Sequence, residues 1–382
     1  MTAFEPTADQ RAVGDLAREI AAREIAPYIA QWDREHTFPR ALYSKFNDAG
    51  LMGLLVPEAY GGSDSDYVSY ALMIEEIARV DAGTAATLSV HSMICNAIAK
   101  LGNEEQRERW LHALGGIDAL AGFALTEPDA GSDAAAIRSR AVRDGDDYVL
   151  NGRKQWCTNG GHAAVIMAMF RTGDAGAKGI SAFLIDMSLP GIVVEKVTEK
   201  LGIHTSNTVA LAFSDVRVPA SALLGSEDTG LASALSTLAA GRIGIASQAV
   251  GILAACLDAS LKFAQERVAF GRPIGAFEGI AFKLAQMATD LEAARLLTYH
   301  AAALCDAGRP FAIEASKAKL FASTAARVHA SEAVQIHGGY GYTTEFPVER
   351  YYRDAKITEI YEGTSEIQQL IIARDLVGRI DT

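Results

Sequence analysis

The sequence predicts an α+β multidomain fold: an N-terminal helical domain, a middle antiparallel β-barrel or β-sandwich domain, and a C-terminal antiparallel four-helix bundle. Three observations carry that prediction. Residues 7–115 place apolar residues at helical spacing between cap signals, residues 137–213 break into short β-rich runs separated by turns, and from residue 230 the chain returns to long helices. The boundaries read as 1–120, 121–228 and 229–382, and at 382 residues the chain exceeds one comfortable core.

In the first domain, Thr7-x-x-Gln10 suits a capping box, and Leu16, Ile20, Ala21 and Ile25 give an apolar face. Pro39, Gly61-Gly62, Gly83 and Gly102-Asn103 divide the helices, with Asn103 a cap for 104–114. In the middle domain, runs at 137–142 and 148–158 flank the turn Asp144-Gly145-Asp146-Asp147, and further runs follow at 163–170, 180–186, 192–197 and 209–213. Helix-free connections disfavour a doubly wound parallel sheet, and no Gly-x-Gly-x-x-Gly follows a strand, which disfavours a Rossmann unit. The third domain reads as helices over 231–270, 279–305, 311–337 and 366–377. The first of these is so rich in alanine and aliphatic residues that it must be covered on more than one side.

Composition narrows the function. The chain is 49% hydrophobic, 21% charged and carries a net charge of −12, with no concentrated basic stripe, which argues against nucleic acid as a partner. Cys95, Cys157, Cys256 and Cys305 are scattered without a Cys-x-x-Cys pair and read as buried free thiols. The eight histidines form no ligand spacing, so no metal is expected. No apolar run reads as a membrane span and the N-terminus has no basic-then-apolar leader, which places the protein in the cytoplasm.

One carboxylate stands out. Tyr361-Glu362-Gly363-Thr364-Ser365 sets Glu362 beside a flexible glycine and apolar neighbours. A glutamate in water has a pKa of about 4.3, too low to take a proton from carbon, and burial beside Tyr361 and Ile360 would raise it toward neutrality. Taken alone, such a segment is far more often a solvated turn, because glycine marks turns and glutamate prefers water. Arg242, a lone charge within the apolar helix, demands a partner and suggests a substrate-side role.

Six separated motifs then resemble the acyl-CoA dehydrogenase family across essentially the whole chain. They are Leu125-Thr126-Glu127-Pro128-Asp129-Ala130-Gly131-Ser132-Asp133, Asn151-Gly152-Arg153-Lys154-Gln155-Trp156-Cys157-Thr158-Asn159-Gly160, Asp215-Val216-Arg217-Val218-Pro219, Arg267-Val268-Ala269-Phe270-Gly271, Gln335-Ile336-His337-Gly338-Gly339-Tyr340-Gly341 and Tyr361-Glu362-Gly363-Thr364. The resemblance implies FAD as cofactor and oxidation of a short- or branched-chain acyl-CoA to its trans-2-enoyl product. It makes Glu362 the catalytic base, and its N–H, with a flavin hydroxyl, the donors to the thioester carbonyl. Some relatives carry the base instead at the position of Gly241, which has no side chain here.

By the same resemblance, Phe123, Leu125, Thr126, Ser132, Trp156, Thr158, Thr364 and Glu366 line the flavin, with Trp156 and Thr158 on one face of a strand and Cys157 packed on the other. The resemblance also implies that Arg267, Phe270, Glu278, Gln335, Gly338 and Gly339 reach the FAD of a neighbouring subunit in a homotetramer built as a dimer of dimers. The resemblance further implies that Ser132, Arg242, Tyr361 and Gly363 contact the acyl-CoA substrate and that an electron-transferring flavoprotein takes the electrons. Asp129, Glu278 and Ala239 depart from residues common in relatives. Two other readings stay open: an acyl-CoA oxidase-like flavoenzyme that uses oxygen, and a catalytically silent scaffold.

Overall fold

The computed structural model of the chain describes residues 5–116, 119–174 and 176–378. Helix α1 (Ala8–Ile20) opens on the expected capping box, in which the Gln10 N–H donates to Thr7 Oγ1 (3.2 Å) and the Thr7 N–H to Gln10 Oε1 (2.9 Å). It passes through a π-helical turn at Ala21–Ile25 into α2 (Ile29–Glu35) and α3 (Leu42–Asp48). Gly14, Ala17 and Ile20 are the residues of α1 that bury, whereas Leu16, read as part of the apolar face, is 37% exposed. Helices α4 (Tyr67–Ala78) and α5 (Ala82–Leu101) are buried along almost their whole length. Asn103 caps α6 (Glu104–Gly116) as expected, exchanging hydrogen bonds with Gln106 at 2.9 and 3.1 Å.

The middle region contains β1 (Leu120–Ala124), β2 (Arg140–Asp144), β3 (Asp147–Thr158), β4 (Ala163–Arg171), β5 (Ile180–Asp186), β6 (Ile192–Val197), β7 (Thr208–Pro219) and β8 (Leu223–Leu224). The order is β6-β7-β3-β2-β4-β5-β8, with β1 also on β4. Most pairs are antiparallel, but β1 and β4 run parallel and β2 meets β4 in parallel at Arg140 and Arg171, so the sheet is mixed. The β2–β3 hairpin intervenes between β1 and β4, and that length of chain allows a parallel return. Strand β4 is a continuous apolar run because both faces are covered. Ile166, Ala168 and Phe170 join Tyr148, Phe183 and Leu211 inside the curled sheet, while Val165, Met167 and Met169 face the core shared with α5 and α6.

The C-terminal region starts with the 37-residue helix α7 (Gly230–Glu266). It ends four residues short of the predicted 270. Arg267 is extended, and β9 (Val268–Ala269) pairs with β10 (Arg272–Pro273) around Phe270 (φ 51°) and Gly271 (φ 79°). Two successive left-handed residues are the signature of a tight hairpin turn, which helical periodicity alone does not reveal. Helices α8 (Glu278–Asp306), α9 (Ala312–His337), α10 (Val348–Ala355) and α11 (Ser365–Val377) follow, α10 being a short helix that the sequence reading left unassigned.

Helix α7 packs against α4, α5, α8 and α9, as its all-round apolarity required. By length and composition it could cross a membrane, contrary to the sequence reading, yet 89% of its most apolar stretch is buried inside the protein. One core runs through both helical regions, from Ala17 and Ile20 to Ile243, Val250 and Ala322. It encloses Glu75, which is 2% exposed and accepts from Arg295 Nε (2.9 Å), Arg295 Nη2 (2.7 Å) and the Tyr299 hydroxyl. A buried carboxylate so paired ties α4 to α8.

Candidate active site

The turn between α10 and α11 passes through a single 3-10 turn at Lys356–Glu359 and then through Tyr361, Glu362 (φ 53°) and Gly363 (φ 91°). Glycine takes a left-handed conformation freely, but a glutamate there costs about 1 kcal/mol or more and needs outside support. Three helices supply it. The Tyr361 hydroxyl donates to Gln248 Oε1 on α7, and Gln248 Nε2 in turn donates to Ala82 O (2.7 Å). From α11, Gln368 Nε2 donates to Gly363 O (2.9 Å), with Glu362 O at 3.4 Å. Lys319 Nζ on α9 donates to the same Gly363 carbonyl at 2.7 Å. Thr364 then caps α11, its Oγ1 accepting from the Ile367 N–H at 3.4 Å.

So held, the Glu362 side chain points at α7. A side-chain carbon added at Gly241 would lie 2.7 Å from Met93 Sδ, 3.0 Å from the Glu362 carboxyl carbon, and closer still to Oε2. Both carboxylate oxygens are buried, and among the described residues neither has a hydrogen-bond partner. Burial raises the carboxyl pKa to about 7, against the opposing pull of the Lys319 and Arg242 charges. The predicted direction is therefore right, and Tyr361 is partly buried against the core as expected, but one of the two predicted neighbours is not cover. Ile360 is 48% exposed, and the cover on the Gly241 side comes from α7 and from Met93 of α5. Arg242 is 5% exposed, with Nη1 donating to Ser316 Oγ at 3.2 Å and Nε unpaired among the described residues; burial lowers its pKa while the Glu362 charge opposes that. Nearby, the Tyr70 hydroxyl donates to Ser89 Oγ at 3.0 Å.

On the sheet side, Asn159 (φ 65°) fixes the end of β3 by donating from Nδ2 to Thr87 O on α5 and Ala121 O on β1, both at 3.0 Å. The Gln155 N–H donates to Thr126 O at 2.8 Å. Strand β3 is irregular there. Lys154 pairs with Leu211 and Cys157 with Val209, so Gln155 and Trp156 bulge opposite Ala210, and Trp156 is left-handed (φ 54°). The bulge turns the Trp156 indole outward, 59% exposed, while Thr158 is half-buried and Cys157 lies in the interior with its thiol pushed up to about 12. Phe123 is half-buried, Leu125 is buried, Thr126 is half-buried and Ser132 is exposed.

Glu127 and Lys154, from the first two of the six motifs, meet as a buried ion pair. Lys154 is fully buried and donates to Glu127 Oε1 at 2.8 Å, and the same carboxylate accepts the main-chain N–H groups of Arg138 (2.6 Å) and Ser139 (3.0 Å). This pair anchors the loop running from Thr126 toward Ser132. The available signal was an acid and a lysine placed next to apolar strand residues.

The other predicted cofactor residues form a separate, exposed group. Arg267 sits 5.6 Å from the ring centre of Tyr340, beside Gly338 and Gly339, and Phe270 stands 6.1 Å from Phe277, next to Glu278. Gln335 lies on the last turn of α9. About 24 Å of that helix separates Gln335 from Lys319, so the structure does not gather this group around the Glu362 turn within one subunit.

Among the described residues, no group of three or more histidine, cysteine, aspartate or glutamate side chains could hold a metal ion. The residues do fit a flavin. The exposed Trp156 indole on β3 offers a flat wall for a tricyclic ring, Thr126, tied to the neighbouring Gln155 N–H, and Thr158 supply hydroxyls, and Gly131 leaves open space in front of the backbone.

Family models described as the acyl-CoA dehydrogenase N-terminal, middle and C-terminal domains match residues 7–116, 122–216 and 228–377. The mouse mitochondrial short-chain specific acyl-CoA dehydrogenase is 48% identical over 362 residues, covering 94% of this chain and 88% of that protein. The structure of butyryl-CoA dehydrogenase from Megasphaera elsdenii superposes with a TM-score of 0.96 at 42% identity, covering 98% of this chain and 99% of that one. A chain in a structure described as "Electron transferring flavoprotein of Acidaminococcus fermentans: Towards a mechanism of flavin-based electron bifurcation" gives a TM-score of 0.97 at 43% identity, covering 98% and 100%.

Proposed function

The chain belongs to the acyl-CoA dehydrogenase family of FAD-dependent oxidoreductases, and we propose that it desaturates a short-chain acyl-CoA between Cα and Cβ, with Glu362 as the base. The observation that carries this reading is the Glu362 carboxylate, buried with no hydrogen-bond partner among the described residues and poised near pH 7. A base of that strength is half-ionised at neutral pH and still able to hold a proton taken from carbon. The Glu362 main-chain N–H donates to the thioester oxygen, stabilising the charge that develops there as the Cα proton moves to the carboxylate. FAD, when bound, supplies the acceptor for the hydride leaving Cβ. Trp156 flanks the flavin ring, Thr158 hydrogen-bonds to it, and Phe123, Leu125, Thr126, Ser132, Thr364 and Glu366 complete the lining.

Arg267, Phe270, Glu278, Gln335, Gly338 and Gly339 serve the FAD of a neighbouring subunit in a homotetramer. Their exposure and their distance from the Glu362 turn along α9 support that assignment. Ser132, Arg242, Tyr361 and Gly363 form the substrate side. The short-chain preference is supported by the similarity to the mouse and Megasphaera enzymes, and electron transfer to an electron-transferring flavoprotein by the third comparison.

Anaerobic mixing of the yellow holoenzyme with acyl-CoAs from C4 to C16, and with isobutyryl- and isovaleryl-CoA, tests the proposal. The fastest flavin bleaching is expected with butyryl-CoA, yielding crotonyl-CoA. The absence of bleaching with every member would overturn it, and rapid reoxidation of the reduced enzyme by air would favour the oxidase alternative.

A further inference from the structure

Lys319 is a fully buried lysine in the middle of α9, surrounded along its helix by Ala315, Ala318, Ala322 and Ser323. Lysine is almost never buried without a partner, because desolvating an ammonium costs several kcal/mol. Here its hydrogen bond goes to a neutral acceptor, the Gly363 carbonyl at 2.7 Å, and among the described residues it makes no salt bridge. A neutral glutamine already donates to that same carbonyl from α11. Grip on the carbonyl alone therefore does not account for a buried charge.

The charge that acts on it most strongly is the carboxylate one residue earlier, Glu362. We propose that Lys319 is a positioning residue for proton abstraction: through the Gly363 carbonyl it locks the left-handed Glu362–Gly363 turn, and it keeps a fixed positive charge facing the Glu362 carboxylate. This inference rests on Glu362 being the base. The turn places a non-glycine residue at φ 53°, and the donors from α9 and α11 fix the peptide planes on its C-terminal side. The electrostatics agree. Burial raises Glu362, and Lys319 is the first of two charges that hold it down, the other being Arg242; burial in turn lowers Lys319 to about 8. The groups facing Glu362 are thus Lys319 from α9, Arg242 from α7, and the Tyr70 and Tyr361 phenols; those facing Lys319 are Glu362, Arg242, Glu359 and Glu366. Without the ammonium, the buried carboxyl would hold its proton to higher pH and spend more time in the form that cannot act as a base.

The test compares Lys319→Met, which keeps length and loses charge, with Lys319→Arg, which keeps charge. Both are measured as holoenzymes whose flavin spectrum and circular dichroism match the parent. The rate of flavin reduction by butyryl-CoA is followed against pH, and the ionisation of Glu362 is read independently from its carboxyl stretch in infrared difference spectra. In K319M the acid limb and the infrared midpoint move up by about one pH unit, and in K319R both return to within a few tenths. A folded K319M with both midpoints unmoved overturns the proposal.

A reciprocal measurement does not depend on K319M folding. In Glu362→Gln, loss of the facing negative charge lowers the Lys319 midpoint, read by ¹⁵N NMR of the side-chain amine; an unchanged midpoint overturns the proposal. A parental rate of flavin reduction in Glu362→Gln would instead sink the assignment of the base, while the NMR midpoint would still report the coupling.

Discussion

Replacing Gly241 with alanine separates two duties of α7 at this point, continuing the helix and leaving room for the base. Alanine is favoured over glycine in a helix interior by about 1 kcal/mol, so the backbone itself gains from the change. The new methyl, however, would stand 2.7 Å from Met93 Sδ and 3.0 Å from the Glu362 carboxyl carbon, both nearer than ordinary van der Waals contact. A thioether and a carboxylate at the ends of flexible side chains can each retreat, which limits the cost to stability. The retreat moves the base away from the space where Cα of the substrate must lie, and a misplacement of about 1 Å costs about 10²-fold in rate. Gly241→Ala is accordingly expected to keep its flavin and melt within a few degrees of the parent, while single-turnover flavin reduction slows about 100-fold. Reduction within threefold of the parent rate would refute the reasoning, because it would mean that the carboxylate does not need the space in front of Gly241.

Lys154→Met removes one partner of the buried pair with Glu127 and leaves an uncompensated carboxylate; a loss of about 3–5 kcal/mol in denaturant melts is expected, and a loss below about 1 kcal/mol would deny the pair its anchoring role. Arg267→Ala is expected to weaken FAD retention on gel filtration with helix content unchanged; parental flavin affinity would remove Arg267 from the proposed cofactor contacts.

Much of the fold could be read from local signals. The capping boxes at Thr7 and Asn103 depend on residues three apart, and both are present. The all-round apolarity of α7 announced its central position. What escaped depends on partners far away in sequence or on backbone states that periodicity does not encode. The parallel pairing of β1 with β4 is a tertiary choice, as is the bulge that turns Trp156 outward. The hairpin after α7 was hidden because Val268 and Phe270 continue its apolar pattern, although Gly271 and Pro273 marked the break. At the site, the raised pKa of Glu362 was legible from residue type and context, but of the two neighbours offered as its cover Tyr361 is partly buried against the core whereas Ile360 is half exposed. Met93 and Gly241 lie far from the Tyr361–Gly363 segment in sequence, and only packing brings them to the carboxylate. The same holds for Lys319, which looks from sequence like an ordinary helix-surface lysine and sits instead in the core.

Glu362→Gln keeps the shape of the side chain and removes its ability to accept a proton. Under anaerobic conditions with saturating butyryl-CoA, the variant is expected to remain folded and yellow while flavin reduction falls by about 10²–10⁴-fold. Reduction within a few-fold of the parent rate would contradict proton abstraction by Glu362.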